Sequence, residues 1–193
     1  MANANAPRGL VPARGVNSQV VTGGPRLYSH ASGDATALFV GDPVKLAGTA
    51  QTINGVTTPD VVRAATGDVI CGVVVGMLPV TRDSLTYGPA STAYNLFVDD
   101  DPNSLFEVQD VNSGTALTTA DVGLNINFVV AAGNTFLGTS GVTLDNTTEA
   151  TTNTLDLKLV DVVNRADLDN TSSPLRFLVR INRHQFSNQV AGV

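Results

Sequence analysis

The stretch Val69-Ile-Cys-Gly-Val-Val-Val-Gly-Met-Leu78 is apolar at nearly every position and contains no charged side chain. Successive side chains of a β-strand point to opposite faces, so this pattern places apolar groups on both faces. A strand of that kind is covered by protein on both sides, and we therefore predict a central strand here. Cys71, the single cysteine of the chain, is predicted to be a small buried residue within it.

Segments on either side of this stretch also show strand patterns. Asn125-Ile-Asn-Phe-Val-Val130 carries its apolar residues at alternate positions over most of its length. Thr52-Ile-Asn-Gly-Val-Thr57 contains Asn-Gly, a dipeptide that favours a type I′ hairpin turn. Helical spacing is almost absent, apart from one capped turn at 118–123. The sequence predicts an all-β fold: an antiparallel β-barrel or sandwich of short strands with an extended N-terminal arm.

The segment 155–162 changes the parity of its apolar positions partway along. Leu157 and Leu159 share one face, whereas Val160 and Val162 follow on the opposite parity. An extra residue in a strand restores the inward direction of the side chains that follow it. We therefore predict a β-bulge near Leu159.

The last predicted strand is Leu175-Arg-Phe-Leu-Val-Arg-Ile-Asn-Arg-His184. Its odd-numbered positions from 175 to 181 are apolar and are expected to face the core. Arg176, Arg180 and His184 alternate with them and are expected to point outward as a cationic stripe. We take these three as candidate interface residues.

Residues 1–33 contain three arginines and no acidic side chain, and all 17 Asp and Glu residues come later. This composition is typical of an arm that becomes ordered on a partner, or of a disordered terminus. We predict an extended arm at 1–33, a β-rich domain at 34–186 and a C-terminal tail at 187–193. The candidate contacts of the arm are its cations and an apolar pair: Arg8, Arg14, Arg26, Leu27 and Tyr28.

The composition excludes some partners. Charged residues make up 15% of the chain and the formal net charge is −6. Nucleic acid binding requires a concentrated basic face, so we expect no direct contact with nucleic acid. No apolar stretch approaches the ~18 residues that span a bilayer, and we see no secretory signal. We therefore expect no membrane contact, and synthesis in a cytoplasm.

Groups that could carry catalysis are sparse. The two histidines, His30 and His184, lie far apart in the sequence, and neither is near a recognisable nucleophile motif. Paired cysteine ligands, phosphate-binding loops and dinucleotide-binding glycine patterns are also missing from the sequence. We predict no catalytic residues, no cofactor and no enzymatic activity.

The acidic cluster Asp99-Asp-Asp-Pro-Asn103 comes closest to a metal motif. Its alternating oxygen ligands match the start of a calcium loop. Ser104, however, stands where such a loop needs glycine, and Asp110 stands where it needs a bidentate glutamate. The pattern favours a solvated turn between two strands, and we predict no metal site.

Several segments between 36 and 186 resemble the head decoration, or cement, proteins of tailed bacteriophages. The resemblance rests on structural motifs and covers most of the body. The motifs are Leu38-Phe-Val-Gly-Asp-Pro-Val-Lys45, Gly72-Val-Val-Val-Gly76, Tyr87-Gly-Pro-Ala-Ser-Thr-Ala-Tyr94, Asp99-Asp-Asp-Pro102, Phe106-Glu-Val-Gln109, Ala120-Asp-Val-Gly-Leu-Asn125 and Ile181-Asn-Arg-His-Gln185.

The resemblance implies a structural virion protein on the outer capsid surface. Such a protein clamps neighbouring subunits of the major capsid protein, as a small homo-oligomer such as a trimer or dimer, and has no enzymatic role. Two alternatives stay open at this stage. A tail or baseplate component would have the same β-rich character, and a carbohydrate-binding β-sandwich on the virion surface would need exposed aromatic side chains.

Overall fold

The computed structural model describes residues 3–15, 24–187 and 192–193. These residues form twelve strands and one short 3₁₀ helix, Thr119–Asp121, so the predicted all-β class is confirmed. No helix in these ranges is long and apolar enough to cross a membrane. The strands are β1 (Val11–Gly15), β2 (Arg26–His30), β3 (Pro43–Ile53), β4 (Val56–Arg63), β5 (Gly72–Met77), β6 (Tyr94–Asp99), β7 (Ser104–Gln109), β8 (Asn125–Ile126), β9 (Phe128–Val129), β10 (Thr143–Leu144), β11 (Leu157–Val162) and β12 (Arg176–Ile181).

Five strands form an antiparallel sheet in the order β1, β7, β12, β11 and β8. Phe106 of β7 and Phe177 and Val179 of β12 lie on its inner face and are fully buried. Phe128 of β9 and Leu144 of β10 join them in the larger of two apolar clusters, which we call the sheet cluster. Burial of each such side chain contributes about 1.5–3 kcal/mol to stability.

β9 and β10 pair in a separate two-stranded sheet, and the other five strands close into a barrel in the order β2, β4, β3, β5 and β6. Its interior is a second apolar cluster, the barrel cluster, which includes Tyr28, Leu96 and Val98. The only parallel step in the barrel joins β2 to β4, where Ser29 pairs with Asp60. The Asp60 carboxylate is buried, and three side chains donate hydrogen bonds to it: Ser29 at 2.6 Å, Thr49 at 2.6 Å and Gln51 at 2.8 Å.

The apolar stretch 69–78 supplies β5 and links the two clusters. Ile70 and Val73 belong to the sheet cluster, whereas Cys71 and Val74 belong to the barrel cluster. β5 also pairs with β3 on one side and β6 on the other. The predicted central strand, covered on both faces, is confirmed, and Cys71 is fully buried within this stretch.

Three local predictions are confirmed. Asn54 and Gly55 have φ values of 55° and 80° at the turn between β3 and β4, as a type I′ turn requires. The register of β11 against β12 shifts between Leu159 and Asp161, which is the predicted bulge. At the start of the 3₁₀ helix, Thr118 forms a capping box with Asp121.

The predicted boundary at residue 33 is wrong. β1 pairs with β7 at the edge of the sheet, and β2 is an integral strand of the barrel. Leu10 and Tyr28 are fully buried, because each fills a position in one of the apolar clusters. The arm therefore contributes strands to the body itself. Its residues 16–23, and residues 188–191 of the predicted tail, lie outside the described ranges.

Candidate interaction surface

Arg176, the first residue of the predicted cationic stripe on β12, is paired with a carboxylate of the neighbouring strand. Arg176 lies 3.0 Å from Glu107 of β7, and Arg165 lies 2.9 Å from the other oxygen of the same carboxylate. Arg176 also donates a hydrogen bond to the carbonyl oxygen of Ala6. Its guanidinium thus holds the N-terminal segment against the sheet, and the described residues already satisfy it.

Arg180 is engaged in a different way. It donates hydrogen bonds to the carbonyl oxygen of Pro102 at 2.9 Å and to the side-chain oxygen of Asn103 at 3.3 Å. Both acceptors belong to the turn between β6 and β7. Arg180 therefore fastens β12 to this turn within the chain.

The acidic cluster forms that turn, as the sequence predicts. Asp99 accepts hydrogen bonds from the Asp101 amide and from the Ser104 hydroxyl, and Asp101 accepts one from the Asn103 amide. Burial raises the pKa of the Asp99 carboxyl above its usual range. Among the residues described, no group of three or more Asp, Glu, His or Cys side chains is arranged to hold a metal ion.

Two arm arginines form ion pairs inside the chain. Arg14 lies 3.9 Å from Asp161, and Arg26 lies 3.4 Å from Asp100. Three of these four side chains are at least 45% exposed, so each pair contributes about 0–1 kcal/mol. Arg26 also lies over the rings of Tyr28 and Phe186, at 5.6 Å and 6.0 Å from their centroids, so Arg14 is the more loosely held of the two.

The apolar pair of the arm is divided between surface and core. Leu27 is half-buried opposite Phe97 of β6. Tyr28 is fully buried, and its hydroxyl donates a 2.8 Å hydrogen bond to Asp100. Burial raises the pKa of Tyr28. Tyr28 is therefore a core residue of the barrel and is not available as an interface contact.

The predicted outward position of His184 is wrong. β12 ends at Ile181, and His184 instead pairs with Ile70 through a parallel bridge, fully buried. Its Nδ1 accepts a hydrogen bond from the Phe186 amide, which leaves the ring proton on Nε2. Burial lowers the pKa of this histidine to about 4. His184 is thus a neutral core residue.

The other histidine is also buried inside the body. His30 lies 3.1 Å from Asp34 through Nε2 and 3.3 Å from the Thr92 carbonyl through Nδ1. Its ring stacks on Tyr94 at a centroid distance of 4.7 Å. These contacts give His30 a structural role in fixing the end of β2.

Arg8 differs from every other candidate. Its side chain is exposed, and its guanidinium has no hydrogen-bond or ion-pair partner among the residues that the structure describes. Two glycines fix the backbone beside it. Gly9 (φ 70°) and Gly41 (φ 96°) pack so closely that a methyl group on Gly41 would overlap the carbonyl oxygen of Arg8. The Leu10 amide then donates a 2.9 Å hydrogen bond to the Gly41 carbonyl.

Arg8 borders an open groove of about 510 Å³ between residues 5–8 and residues 132–141. The remainder of the lining is small and weakly polar, and we call this cavity the Arg8 groove. Its lining residues outside the N-terminal segment are Ala132, Gly133, Asn134, Leu137, Thr139, Ser140 and Gly141.

The far wall of the Arg8 groove carries a rigid apolar tip, defined as Phe136 and Leu137. These side chains are 90% and 61% exposed. The side-chain oxygen of Asn134 accepts hydrogen bonds from both of their amides at 3.0 Å. The loop is closed by hydrogen bonds from the Asn134 amide to Thr139 and from the Gly138 amide to Asn134. The apolar tip is therefore held out of the core by its own turn.

The loop before β6 supports the apolar tip. Gly138 (φ 71°) packs on Thr86 so tightly that a methyl group there would lie 2.6 Å from the Thr86 carbonyl oxygen. Leu85, the preceding residue, is itself 53% exposed. This surface is not among the interface residues predicted from the sequence. Its signal is Asn134-Thr-Phe-Leu-Gly138, two large apolar residues between the asparagine and glycine of a turn.

Comparison with known proteins identifies no relative: no protein-family model, no curated protein and no solved structure matches this chain.

Proposed function

We propose that this chain is a structural virion protein that binds the outer surface of a phage capsid. In this role it stabilises the capsid by clamping neighbouring subunits of the major capsid protein, without enzymatic activity and without a cofactor. The observation that carries the proposal is the rigid, exposed apolar tip at the same groove as Arg8, which has no partner among the residues that the structure describes. A turn that holds a phenylalanine in water costs free energy, and contact with another protein recovers it.

The chemistry of the surface favours protein contact. Burying one exposed aromatic side chain contributes about 1.5–3 kcal/mol, which is weak for a single site. A capsid offers many symmetry-related sites, and a homo-oligomer such as a trimer or dimer would engage several of them at once. Several weak contacts made at once then give the oligomer a high overall affinity for the capsid.

Stabilisation by such a protein follows from mass action. A ligand that binds assembled subunits in preference to free ones shifts the equilibrium toward the assembled shell. The sequence resemblance to head decoration proteins supports the same role. The proposed location is the outer capsid surface, after synthesis in the host cytoplasm.

The test compares particles that lack the protein with the same particles after the purified protein is added back. We expect particles without it to release DNA at a lower temperature, measured with a dye that fluoresces on free DNA. Restored release temperature supports the role, and an unchanged release temperature contradicts it. Gold labelling of intact particles separates a capsid position from the tail or baseplate alternative.

The carbohydrate-binding alternative finds little support in the aromatic residues. Tyr28 and Tyr94 are buried, and Tyr87 is half-buried and stacked on Phe39 at 5.0 Å. Phe136 is strongly exposed, but its ring lacks the polar group with which tyrosine or tryptophan adds a hydrogen bond to a stacked sugar. Binding on a glycan array would revive this alternative.

A further inference from the structure

The Arg8 groove has the chemistry of a docking site for a short peptide segment. We infer that it binds a segment of a partner protein that presents a carboxylate next to a large apolar side chain. Arg8 would pair with the carboxylate, and Phe136 with Leu137 would cover the apolar side chain. The inference deepens the proposed function and rests on it for one point only, that the partner is the major capsid protein.

The charge of the required partner follows from the arginines already engaged. Arg176 and Arg180 have their acceptors within the chain, and Arg14 lies beside an acidic residue. Arg8 is exposed at the rim of the groove and has no acceptor in the described ranges. A guanidinium with five free donors binds a carboxylate in preference to a neutral acceptor. The complementary group is therefore acidic.

The backbone that carries that charge is fixed before any partner arrives. Gly9 and Gly41 adopt positive φ values and pack backbone to backbone, and Leu10 is buried in the sheet cluster directly after them. On the other side, the Ala6 amide donates a hydrogen bond to Gln109. Arg8 is held between two anchored residues, so little backbone entropy is lost when it binds.

The need for an apolar side chain in the partner segment follows from the groove wall that lies opposite Arg8. Leu137 lines the groove itself, and Phe136 lies next to it at the apolar tip. The Asn134 side chain binds both backbone amides, so the backbone that presents the two side chains is held in one conformation. The cavity volume of about 510 Å³ falls within the ~300–1,000 Å³ typical of small-ligand sites, so a few residues of peptide would fill it.

The test is a titration of the ¹⁵N-labelled protein with a capped tetrapeptide of sequence Asp-Leu-Phe-Asp, followed by backbone amide shifts. Two matched peptides serve as controls: Asn-Leu-Phe-Asn removes the charge, and Asp-Ser-Ser-Asp removes the apolar groups. We expect the first peptide to shift amides of residues 5–8 and 132–141. Each control peptide should bind at least about fivefold more weakly.

Protein variants provide the reciprocal test. Arg8→Ala should weaken binding of Asp-Leu-Phe-Asp about fivefold, whereas Lys158→Ala, which removes an exposed cation from β11, should leave it unchanged. Phe136→Ser should weaken it as well, whereas Val56→Ser, at the exposed turn between β3 and β4, should not. Equal binding of the charged and neutral peptides, shifts centred elsewhere, or wild-type binding by Arg8→Ala would overturn the inference.

The same variants distinguish failure of the inference from failure of the proposed function. If the wild-type protein binds Asp-Leu-Phe-Asp in the groove but does not bind capsids, the inferred site is supported and the capsid partner is contradicted. If Arg8→Ala and Phe136→Ser bind capsids as tightly as the wild-type protein does, the proposed function is supported and the inferred site is contradicted.

Discussion

The five-stranded sheet and the rim of the Arg8 groove both carry arginine, but only the arginine at the groove has no acceptor among the described residues. On the sheet, Glu107 accepts from two guanidinium groups, Arg176 and Arg165. At the groove, the guanidinium of Arg8 has no acceptor within the described ranges. The difference teaches that the availability of a charge depends on what the fold places opposite it.

The largest effect is expected from Gly41→Ala, which disrupts the backbone packing beside Arg8 at the groove. The new methyl group would overlap the carbonyl oxygen of Arg8, and alanine is strained at a φ of 96°. We expect a loss of about 4 kcal/mol in unfolding free energy, measured by urea denaturation. Gly55→Ala is the matched control, because φ is 80° there but no atom lies within 4 Å. It should cost about 1 kcal/mol, and equal losses would show that overlap with Arg8 is unimportant.

The second largest effect is expected at a buried acidic residue, Asp110, through the pH dependence of stability. Asp110 is fully buried, and burial raises its pKa to about 6. A raised pKa means that the folded state binds the proton more tightly, so this contribution to stability is present below about pH 4 and is lost as pH rises toward 6. Asp110→Asn should therefore become more stable relative to wild type, by about 3 kcal/mol, between pH 4 and pH 8.

Urea denaturation at both pH values measures this difference. Asp83→Asn is the control, since Asp83 is exposed and its replacement should leave the pH dependence unchanged. The low pKa of His184 acts in the opposite direction, because its contribution is lost as pH falls from about 6.5 toward 4. His184 is present in wild type and in both variants, so its contribution cancels in the comparison. A constant difference between Asp110→Asn and wild type would contradict the prediction.

The third largest effect is expected at Arg176, the paired arginine of the five-stranded sheet. Arg176→Ala removes a bond to Glu107 and a bond to the Ala6 carbonyl, both on a side chain that is only 16% exposed. Hydrogen bonds of charged groups contribute about 1.5–3 kcal/mol, so we expect a loss of about 2 kcal/mol in unfolding free energy. Combination with Glu107→Gln should cost less than the sum of the two single changes. Additive losses would mean that the pair is not coupled.

The smallest effect is expected at the groove rim. Arg8→Ala removes no interaction with the described residues, and we expect the unfolding free energy to change by less than about 0.5 kcal/mol. Arg14→Ala should cost about 0–1 kcal/mol through its exposed contact with Asp161. A loss above about 1 kcal/mol for Arg8→Ala would show that Arg8 has a structural partner.

Local structure could be predicted from the sequence wherever a short-range rule decides it. The turn at Asn54 and Gly55 follows from the φ values that these residues tolerate, and the bulge after Leu159 follows from a change in parity. The central position of β5 follows from apolar side chains on both of its faces. Each of these signals lies within about ten residues.

Features that depend on distant contacts could not be predicted in this way. The N-terminal segment looks like a free arm in composition, but Tyr28 finds its place beside Leu96 of β6. Alternation placed His184 on an outer face, but alternation ends where β12 ends, three residues earlier. The Arg8 groove joins residues 5–8 to residues more than 120 positions away. No local sequence pattern indicates that these two segments are in contact.

The position of β5 between the two clusters also bears on how the molecule unfolds. Val73 and Val74 are neighbours in the chain, but they fill different apolar clusters. If the barrel opened alone, it would withdraw Val74 and displace Val73 with it, which would expose the sheet cluster to water. The two clusters are therefore expected to unfold in one cooperative transition, with neither of them opening before the other.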